Sequence, residues 1–206
     1  MKKIFFFAAF LLSVAANAQT SSAKNNLSAG AGIQQYNGDL GNSFFDFEEE
    51  WYGVVRLGYS RYLNRSFDAQ VFATTGDIGR CFDGVLQPGE HVTMLRSRFT
   101  TLGLSLKYKF ANGRLLKEDA RLAPYVYAGA ALNNHRDLWV VQDPRVNEGT
   151  YISINGGLGL TYRLCTRFQI NYNLGLGYFT TDKLDFISQG SNDLYLQNTF
   201  SVGMDF

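Results

Sequence analysis

Histidine and cysteine, two side chains that often act as catalytic bases, nucleophiles or metal ligands, are scarce in this sequence. The chain has two histidines, His91 and His135, and two cysteines, Cys81 and Cys165. A nucleophilic enzyme needs a base beside its nucleophile and a third group that orients the base. No His-x-Ser pair is present, because His91 is followed by Val-Thr and His135 by Arg-Asp. A base, a nucleophile and a carboxylate could still meet across loops, but polar loop histidines are the preferred interpretation. We therefore predict no enzyme and no catalytic residue.

Metal and cofactor sites are not indicated by the residue spacing. Two histidines and two scattered cysteines give no ligand pattern. The segment FFDFEEEW, residues 44–51, has three consecutive glutamates beside Asp46. These carboxylates could hold divalent cations that bridge lipopolysaccharide phosphates; the alternative is a solvated loop whose Trp51 and Tyr52 belong to an interfacial aromatic belt. We favour the solvated loop and predict no metal and no cofactor.

The chain begins with the pattern of an export signal. Lys2 and Lys3 precede an apolar run at residues 4–14, and Ala-Asn-Ala at 16–18 has the form of a signal-peptidase site. The run is shorter than the roughly 20 apolar residues of a membrane-spanning helix. We predict a signal peptide at residues 1–18, cleaved after Ala18, and one mature domain at residues 19–206.

The charge of the mature chain excludes one class of partner. Without Lys2 and Lys3 it has 17 Lys and Arg against 18 Asp and Glu, a net charge of −1. Nucleic-acid binding proteins carry a basic excess or a basic stripe. We expect no nucleic-acid partner.

After the signal, apolar side chains recur on every second residue. In YISINGGLGLTYRL, residues 151–164, Ile152 and Ile154 fall on one parity and Ser153 and Asn155 on the other. This is the period of a β-strand. Each clear run approaches the ~10 residues of a membrane-spanning strand, whereas strands of soluble proteins average about 5 or 6. Eight such segments are present, at residues 26–36, 51–63, 66–75, 99–110, 123–133, 151–164, 167–179 and 198–206, and the facing of residues 125–132 is undecided.

The connections between these segments alternate in length. We predict long ones at residues 37–50, 75–92, 133–149 and 179–193, short ones at 64–65 and 165–167, and a medium one at 111–122 that could hold a short helix. Short periplasmic turns and long external loops are typical of outer-membrane barrels. The predicted fold is all-β: an eight-stranded antiparallel up-and-down transmembrane β-barrel with both termini in the periplasm. A soluble barrel with an apolar core is the alternative.

If the barrel spans a membrane, each strand has a lipid-facing side and a side that faces the bore. Apolar side chains point to lipid, and the bore receives the polar ones. An eight-stranded bore is just wide enough for side chains to fill, which argues against a general diffusion pore. Inward glycines at 157, 159, 175 and 177 would make room for long polar groups. The predicted bore residues are Arg56, Asp68, Gln70, Lys107, Asn155, Gln169, Asn171, Asn173 and Asp205.

The same topology separates the cysteines. Cys81 falls in an external loop and Cys165 in a periplasmic turn, with an apolar band of about 25 Å between them. A disulfide needs Cα atoms within about 7 Å. We predict two free thiols.

On these residues the chain resembles small eight-stranded outer-membrane β-barrels such as the transmembrane domain of OmpA. The likeness rests on ANAQ at 16–19, PYVYAGAALN at 124–133, INGGLGLTYRL at 154–164, FQINYNLGLGY at 168–178 and FSVGMDF at 200–206. The last stretch is similar to the signal that the barrel assembly machinery recognises, with Phe206 as its terminal aromatic. The resemblance implies the outer membrane of a Gram-negative-type bacterium, lipid and lipopolysaccharide as neighbours, and the assembly machinery as a partner.

A narrower likeness concerns YNGDLG at 36–41, which is similar to a motif in PorG-like barrels of type IX secretion. A tight Asn-Gly-Asp turn explains the same residues. We expect a structural or interaction role through the external loops. The alternatives are an accessory subunit of a secretion complex, a lipid A-modifying enzyme, since some barrels of this size use His with Ser at the outer rim, and a narrow ion channel controlled by Lys107 or Arg56.

Overall fold

The computed structural model describes residues 24–37, 51–87, 90–140, 148–180 and 193–206, with side chains described except at 36–37, 79–95 and 137–148. Eight strands form one closed antiparallel barrel in which each strand pairs with its neighbours in sequence. Lipid requires this closure, because unpaired backbone groups cannot reach water. The strands are β1 (Asn25–Asn37), β2 (Tyr52–Tyr62), β3 (Phe67–Gln87), β4 (Glu90–Lys109), β5 (Leu122–Val140), β6 (Glu148–Arg163), β7 (Phe168–Phe179) and β8 (Leu194–Asp205).

The barrel closes between its first and last strands. β1 pairs with β8 from Asn26 opposite Asp205 to Asn37 opposite Leu194. The end that carries Lys24 and Phe206 also carries the short connections, and we call it the terminal end; the opposite one is the far end. The predicted eight-stranded antiparallel barrel is confirmed. Within the described residues, no helix is long and apolar enough to cross a membrane.

Three strands are much longer than the alternation predicts. β3, β4 and β5 have 21, 20 and 19 residues, whereas β1, β2, β7 and β8 have 11 to 13. The loops predicted at 75–92 and 133–149 are therefore largely wrong, because most of these residues continue the strands. β3 pairs with β2 only as far as Gly76 but with β4 as far as Gln87 opposite Glu90. We call residues 77–87, 90–98 and 135–140 the raised wall.

The outer face of the barrel is apolar. Leu57, Leu104 and Phe200 are 56%, 65% and 62% exposed, which is where lipid would contact them. At the terminal end this band meets aromatic rings, with the Phe67 and Tyr108 centroids 5.3 Å apart. Aromatic girdles of this kind mark the membrane interface in outer-membrane barrels. The predicted facing of the apolar side chains is confirmed.

The medium connection at the terminal end is built from turns. The Asn112 side-chain oxygen accepts hydrogen bonds from the backbone N–H groups of Arg114 and Leu115, at 3.0 and 3.2 Å. Gly113 has a φ of 80°, in the left-handed region that glycine adopts without strain. The suggested short helix is wrong, because these two residues favour a turn.

Several predictions fall outside the described residues. The signal peptide at 1–18, nearly all of FFDFEEEW and the second part of YNGDLG lie there. Cleavage after Ala18 therefore stays a prediction.

Candidate functional site

The centre of the bore is organised around a buried arginine. Arg56 is 4% exposed, and its guanidinium carbon lies 4.3 Å from the centroid of the Phe72 ring. Its Nη1 is 3.5 Å from the Gln197 side-chain oxygen, and its Nη2 has no hydrogen-bond partner among the described residues. Gln197 in turn donates to Gln34 at 3.2 Å. Side chains thus fill the bore at this level, as an eight-stranded barrel favours.

Three inward-pointing tyrosines, Tyr125, Tyr127 and Tyr195, complete the filling, and glycines of nearby strands make room for them. A Cβ at Gly159 would lie 2.2 Å from the Tyr125 ring, and a Cβ at Gly177 would lie 2.0 Å from the Tyr195 ring. A Cβ at Gly175 would lie 2.3 Å from the Tyr127 hydroxyl. The predicted inward glycines are confirmed as spacers, although their neighbours are tyrosine rings rather than flexible polar chains.

These contacts settle the facing of β5. Tyr125 and Tyr127 point into the bore, at 4% and 8% exposure, and Leu132 points outward at 51%. Both tyrosines sit opposite glycines of β6 in the register, Gly159 and Gly157. Alanine and tyrosine are both compatible with the bore and with lipid, so the sequence of β5 does not determine its facing. The space that the glycines of β6 provide determines it.

Polar pairs extend through the rest of the bore, and they join most of the predicted bore residues. Lys109 Nζ donates to Asp68 Oδ1, and the Tyr125 hydroxyl donates to the Asn173 side-chain oxygen. The other pairs are Thr161 to Asn171 at 2.7 Å, Tyr195 to Asn155 at 2.7 Å, Asn26 to Asp205 at 2.7 Å and Ser105 to Gln70 at 3.3 Å.

An aromatic cluster closes the bore toward the far end. Phe179 is 1% exposed, and its ring centroid lies 5.7 Å from that of Phe99 and 5.3 Å from that of Tyr195. His135 belongs to this layer: it is 0% exposed and its ring lies 5.0 Å from Phe99. The interpretation of His135 as a polar loop residue is wrong, because β5 continues past the predicted loop start and turns this side chain inward. His91 is likewise in a strand, β4, and its side chain is not described.

On the outside of β3 to β6, the apolar band ends toward the far end at a row of polar side chains. Thr75 and Thr100 hydroxyls lie 3.4 Å apart, and Asn134 lies 3.4 Å from Thr150, all four exposed. We call these four residues the polar rim. In a membrane-spanning barrel, polar side chains that border the apolar band are expected at the level of the lipid headgroups, outside the hydrocarbon core.

Directly above the polar rim are three charged side chains of β3 and β4. Arg96 Nη2 and Nε donate to Asp77 Oδ2 at 2.6 and 3.0 Å, and Arg98 Nε donates to Asp77 Oδ1 at 2.8 Å. The arginine side chains remain 43% and 56% exposed, whereas the Asp77 side chain is 10% exposed. We call these three residues the arginine rim, which has a net positive charge.

The arginine rim is not predicted by the sequence, because Arg96, Arg98 and Asp77 lie in or beside the segment predicted to be a loop at residues 75–92. The available signal was the spacing of Arg96 and Arg98 by two residues, which places both on one face of a strand.

The cysteine prediction is tested at one residue. Cys165 is free and exposed at the terminal end. Cys81 lies in β3 on the raised wall, and its side chain is outside the described set.

Residues 6–206 match the family described as outer membrane protein beta-barrel domain. The chain belongs to this family. It is therefore an outer-membrane β-barrel protein, and the predicted OmpA-like class is confirmed.

Solved structures show the same fold as this outer-membrane barrel. Neisserial surface protein A superposes with a TM-score of 0.62 at 14% identity, over 91% of this chain and 100% of that one. A major outer membrane protein from Thermus thermophilus gives 0.57 at 14%, over 90% and 100%. Ail, the attachment invasion locus protein of Yersinia pestis, in complex with the heparin analogue sucrose octasulfate, gives 0.54 at 13%, over 90% and 100%. No curated protein sequence matches the chain.

Proposed function

We propose that this barrel has a structural or interaction role at its far, external end, where the arginine rim binds anionic groups of lipopolysaccharide. The observation that carries the proposal is the position of Arg96 and Arg98 immediately above the polar rim. Exposed guanidinium groups at the headgroup level are placed to meet phosphates. Arginine is well suited to this because its planar fork donates two parallel hydrogen bonds to one phosphate.

The raised wall supports the same role. Among the described residues, it carries the external end of the barrel beyond the apolar band, because β3, β4 and β5 are longer than the other strands. This projection offers a contact surface to molecules in or on the membrane. The complex of Ail with a sulfated sugar shows that a barrel of this fold accepts an anionic saccharide.

Two rival functions find less support in the bore. A narrow ion channel would need a continuous path, whereas Arg56, Phe72 and Phe179 are each nearly fully buried in the bore. A lipid A-modifying enzyme would need a histidine at the outer rim, and of the two histidines the one whose side chain is described, His135, is buried inside the barrel. That the protein is not an enzyme stays a prediction. An accessory role in secretion also stays a prediction, tested by recovery of a stable complex after gentle detergent extraction.

The test of the proposal is the amount of lipopolysaccharide retained per barrel after detergent extraction from the native membrane. The variant removes the whole arginine rim as Asp77→Asn, Arg96→Gln and Arg98→Gln together, so that no buried carboxylate loses its partners. We expect several-fold less retained lipopolysaccharide. A matched control, Arg114→Gln with Arg121→Gln, removes two exposed arginines at the terminal end and should change nothing.

The single substitution Asp77→Asn should have the opposite effect on lipopolysaccharide retention. Asp77→Asn removes the carboxylate that both arginines contact and raises the local net charge by one, so retention should increase. Equal retention in the wild type, the triple variant and Asp77→Asn would overturn the proposal. Selective binding of sucrose octasulfate without any change in lipopolysaccharide would instead assign the arginine rim to an external glycan.

A partner is also expected at the terminal end. We propose that the barrel assembly machinery recognises Phe206, which is 51% exposed on the outer face. Phe168 is a control, because it is an outward aromatic at the same end, 44% exposed. Phe206→Ala should lower the fraction of heat-modifiable, folded barrel in the outer membrane more than Phe168→Ala. Equal losses would show that only the aromatic girdle matters.

A further inference from the structure

A cavity opens inside the barrel at the terminal end, and the proposed function makes no use of it. Its volume is about 280 Å³, and all eight strands contribute to its wall. Tyr125 lies at its inner end, held by the hydrogen bond to Asn173. We call this cavity the terminal vestibule. It is near the small end of the range for pockets that hold small molecules.

The lining of the terminal vestibule is positively charged. It has five cationic side chains, Lys24, Arg65, Lys107, Lys109 and Arg163, against three carboxylates, Asp68, Glu118 and Asp205. A low-dielectric wall around such an excess concentrates anions inside it.

The carboxylates are already engaged. Asp68 accepts from Lys109, and Glu118 pairs with Arg65 at 3.0 Å at the exposed mouth. Asp205 accepts a hydrogen bond from Asn26 at 2.7 Å. None of these contacts neutralises Lys107.

Lys107 is the side chain that points to a ligand. Its ammonium lies 3.8 Å from the centroid of the Tyr125 ring, and it makes no hydrogen bond or ion pair with any described residue. Asp68 is its partner in the strand register, but the Asp68 carboxylate is bonded to Lys109. A partly buried ammonium that makes no hydrogen bond to a described residue has its hydrogen-bond donors available.

Further donors line the same space. Ser60 and Gln169 border the vestibule, and neither side chain has a hydrogen-bond partner among the described residues. Arg163 uses Nη1 for the Glu118 backbone oxygen and keeps its other N–H groups. Two cations and two neutral donors around one cavity make up a suitable set for an oxyanion. Arg56, buried beyond Tyr125 without a carboxylate partner, adds to the positive potential.

We propose that the terminal vestibule is a binding site for a small water-soluble dianion, of the phosphate or dicarboxylate class, with Lys107 as its principal contact. The ligand enters from the aqueous compartment at the terminal end, which the sequence predicts to be the periplasm. The barrel wall excludes lipid headgroups from the cavity, so the ligand is a free anion rather than a lipid.

The test is calorimetric titration of the purified full-length barrel with inorganic phosphate at low ionic strength, with succinate and chloride as further probes. We expect saturable binding of one phosphate per barrel. Lys107→Met keeps the side-chain length and removes the charge, so it should weaken phosphate binding about tenfold or more, as the loss of a charge-assisted hydrogen bond implies. Lys107→Arg should restore most of the affinity.

The control is Lys117→Met, because Lys117 is exposed on the turn at 110–121 and does not line the vestibule. It removes the same charge and should leave the phosphate affinity within about twofold of the wild type. Asp205→Asn should tighten binding, since it removes a negative charge from the lining. This variant also keeps the test decisive if Lys107→Met does not fold.

Three results would overturn the assignment. The first is no saturable phosphate binding, which would mean a vestibule filled by water. The second is an equal effect of Lys107→Met and Lys117→Met, which would mean nonspecific attraction to net charge, or, where Lys107→Met does not fold, no tightening by Asp205→Asn, which would mean that phosphate binds outside the vestibule. The third is chloride binding as tight as phosphate binding.

Discussion

The outer face and the bore of this barrel are built from alternate residues of the same strands, yet they obey different rules. Outside, Leu57 and Leu104 need only be apolar, because fluid lipid adapts to their shape. Inside, Arg56 must stack on Phe72, and Tyr195 must fit against Gly177. A lipid-facing position accepts many apolar side chains. In the narrow bore, each side chain must fit the volume left by its neighbours and satisfy their hydrogen bonds.

The largest loss of stability should come from a charged side chain on the lipid-facing surface. Leu104→Arg places a charge near the middle of the lipid band and should destabilise the barrel by about 2 to 4 kcal/mol. Thr100→Arg, on the same strand at the polar rim, should cost about 0 to 1 kcal/mol. Reversible denaturant unfolding in phospholipid vesicles measures both. Equal costs would show that Leu104 does not face lipid.

The next effect tests volume matching inside. Gly177→Ala adds a Cβ 2.0 Å from the Tyr195 ring, so the ring must shift, and we expect a loss of about 1 to 3 kcal/mol. Gly53→Ala is the control, because a Cβ there meets nothing within 4 Å, and it should change stability by less than about 0.5 kcal/mol. The same unfolding experiment compares them. Equal tolerance would mean that the bore adapts as freely as lipid.

The smallest effect separates enclosed from exposed charges. Asp68→Asn leaves Lys109 without its carboxylate where both side chains are 15% to 18% exposed, and should cost about 1 to 2 kcal/mol. Glu118→Gln breaks the exposed pair with Arg65 and should cost about 0 to 1 kcal/mol. Added salt should remove the second loss and leave most of the first. Identical salt dependence would contradict an enclosed Asp68 pair.

The bore also shows where prediction from sequence reached its limit. Asp68, Lys107 and Asp205 were assigned to the bore by parity alone, and all three line the terminal vestibule. The pairing of Asp68 with Lys109 rather than with Lys107 was not predictable, because it depends on side-chain reach after the strands have paired. The arginine rim was missed for a related reason: above the lipid band a strand no longer needs alternating apolar residues, so β3 and β4 there resemble a loop.

The sequence by itself determined the strand number, the antiparallel order and the lipid-facing side of most strands. It could do so because a period of two is a local property, and lipid imposes it on every spanning residue. The tertiary structure alone decided the facing of Tyr125 and Tyr127, the burial of His135, the height of the raised wall and the charge pairs around the terminal vestibule. These depend on which residues of distant strands become neighbours when β1 meets β8, and that register is fixed only when the barrel closes.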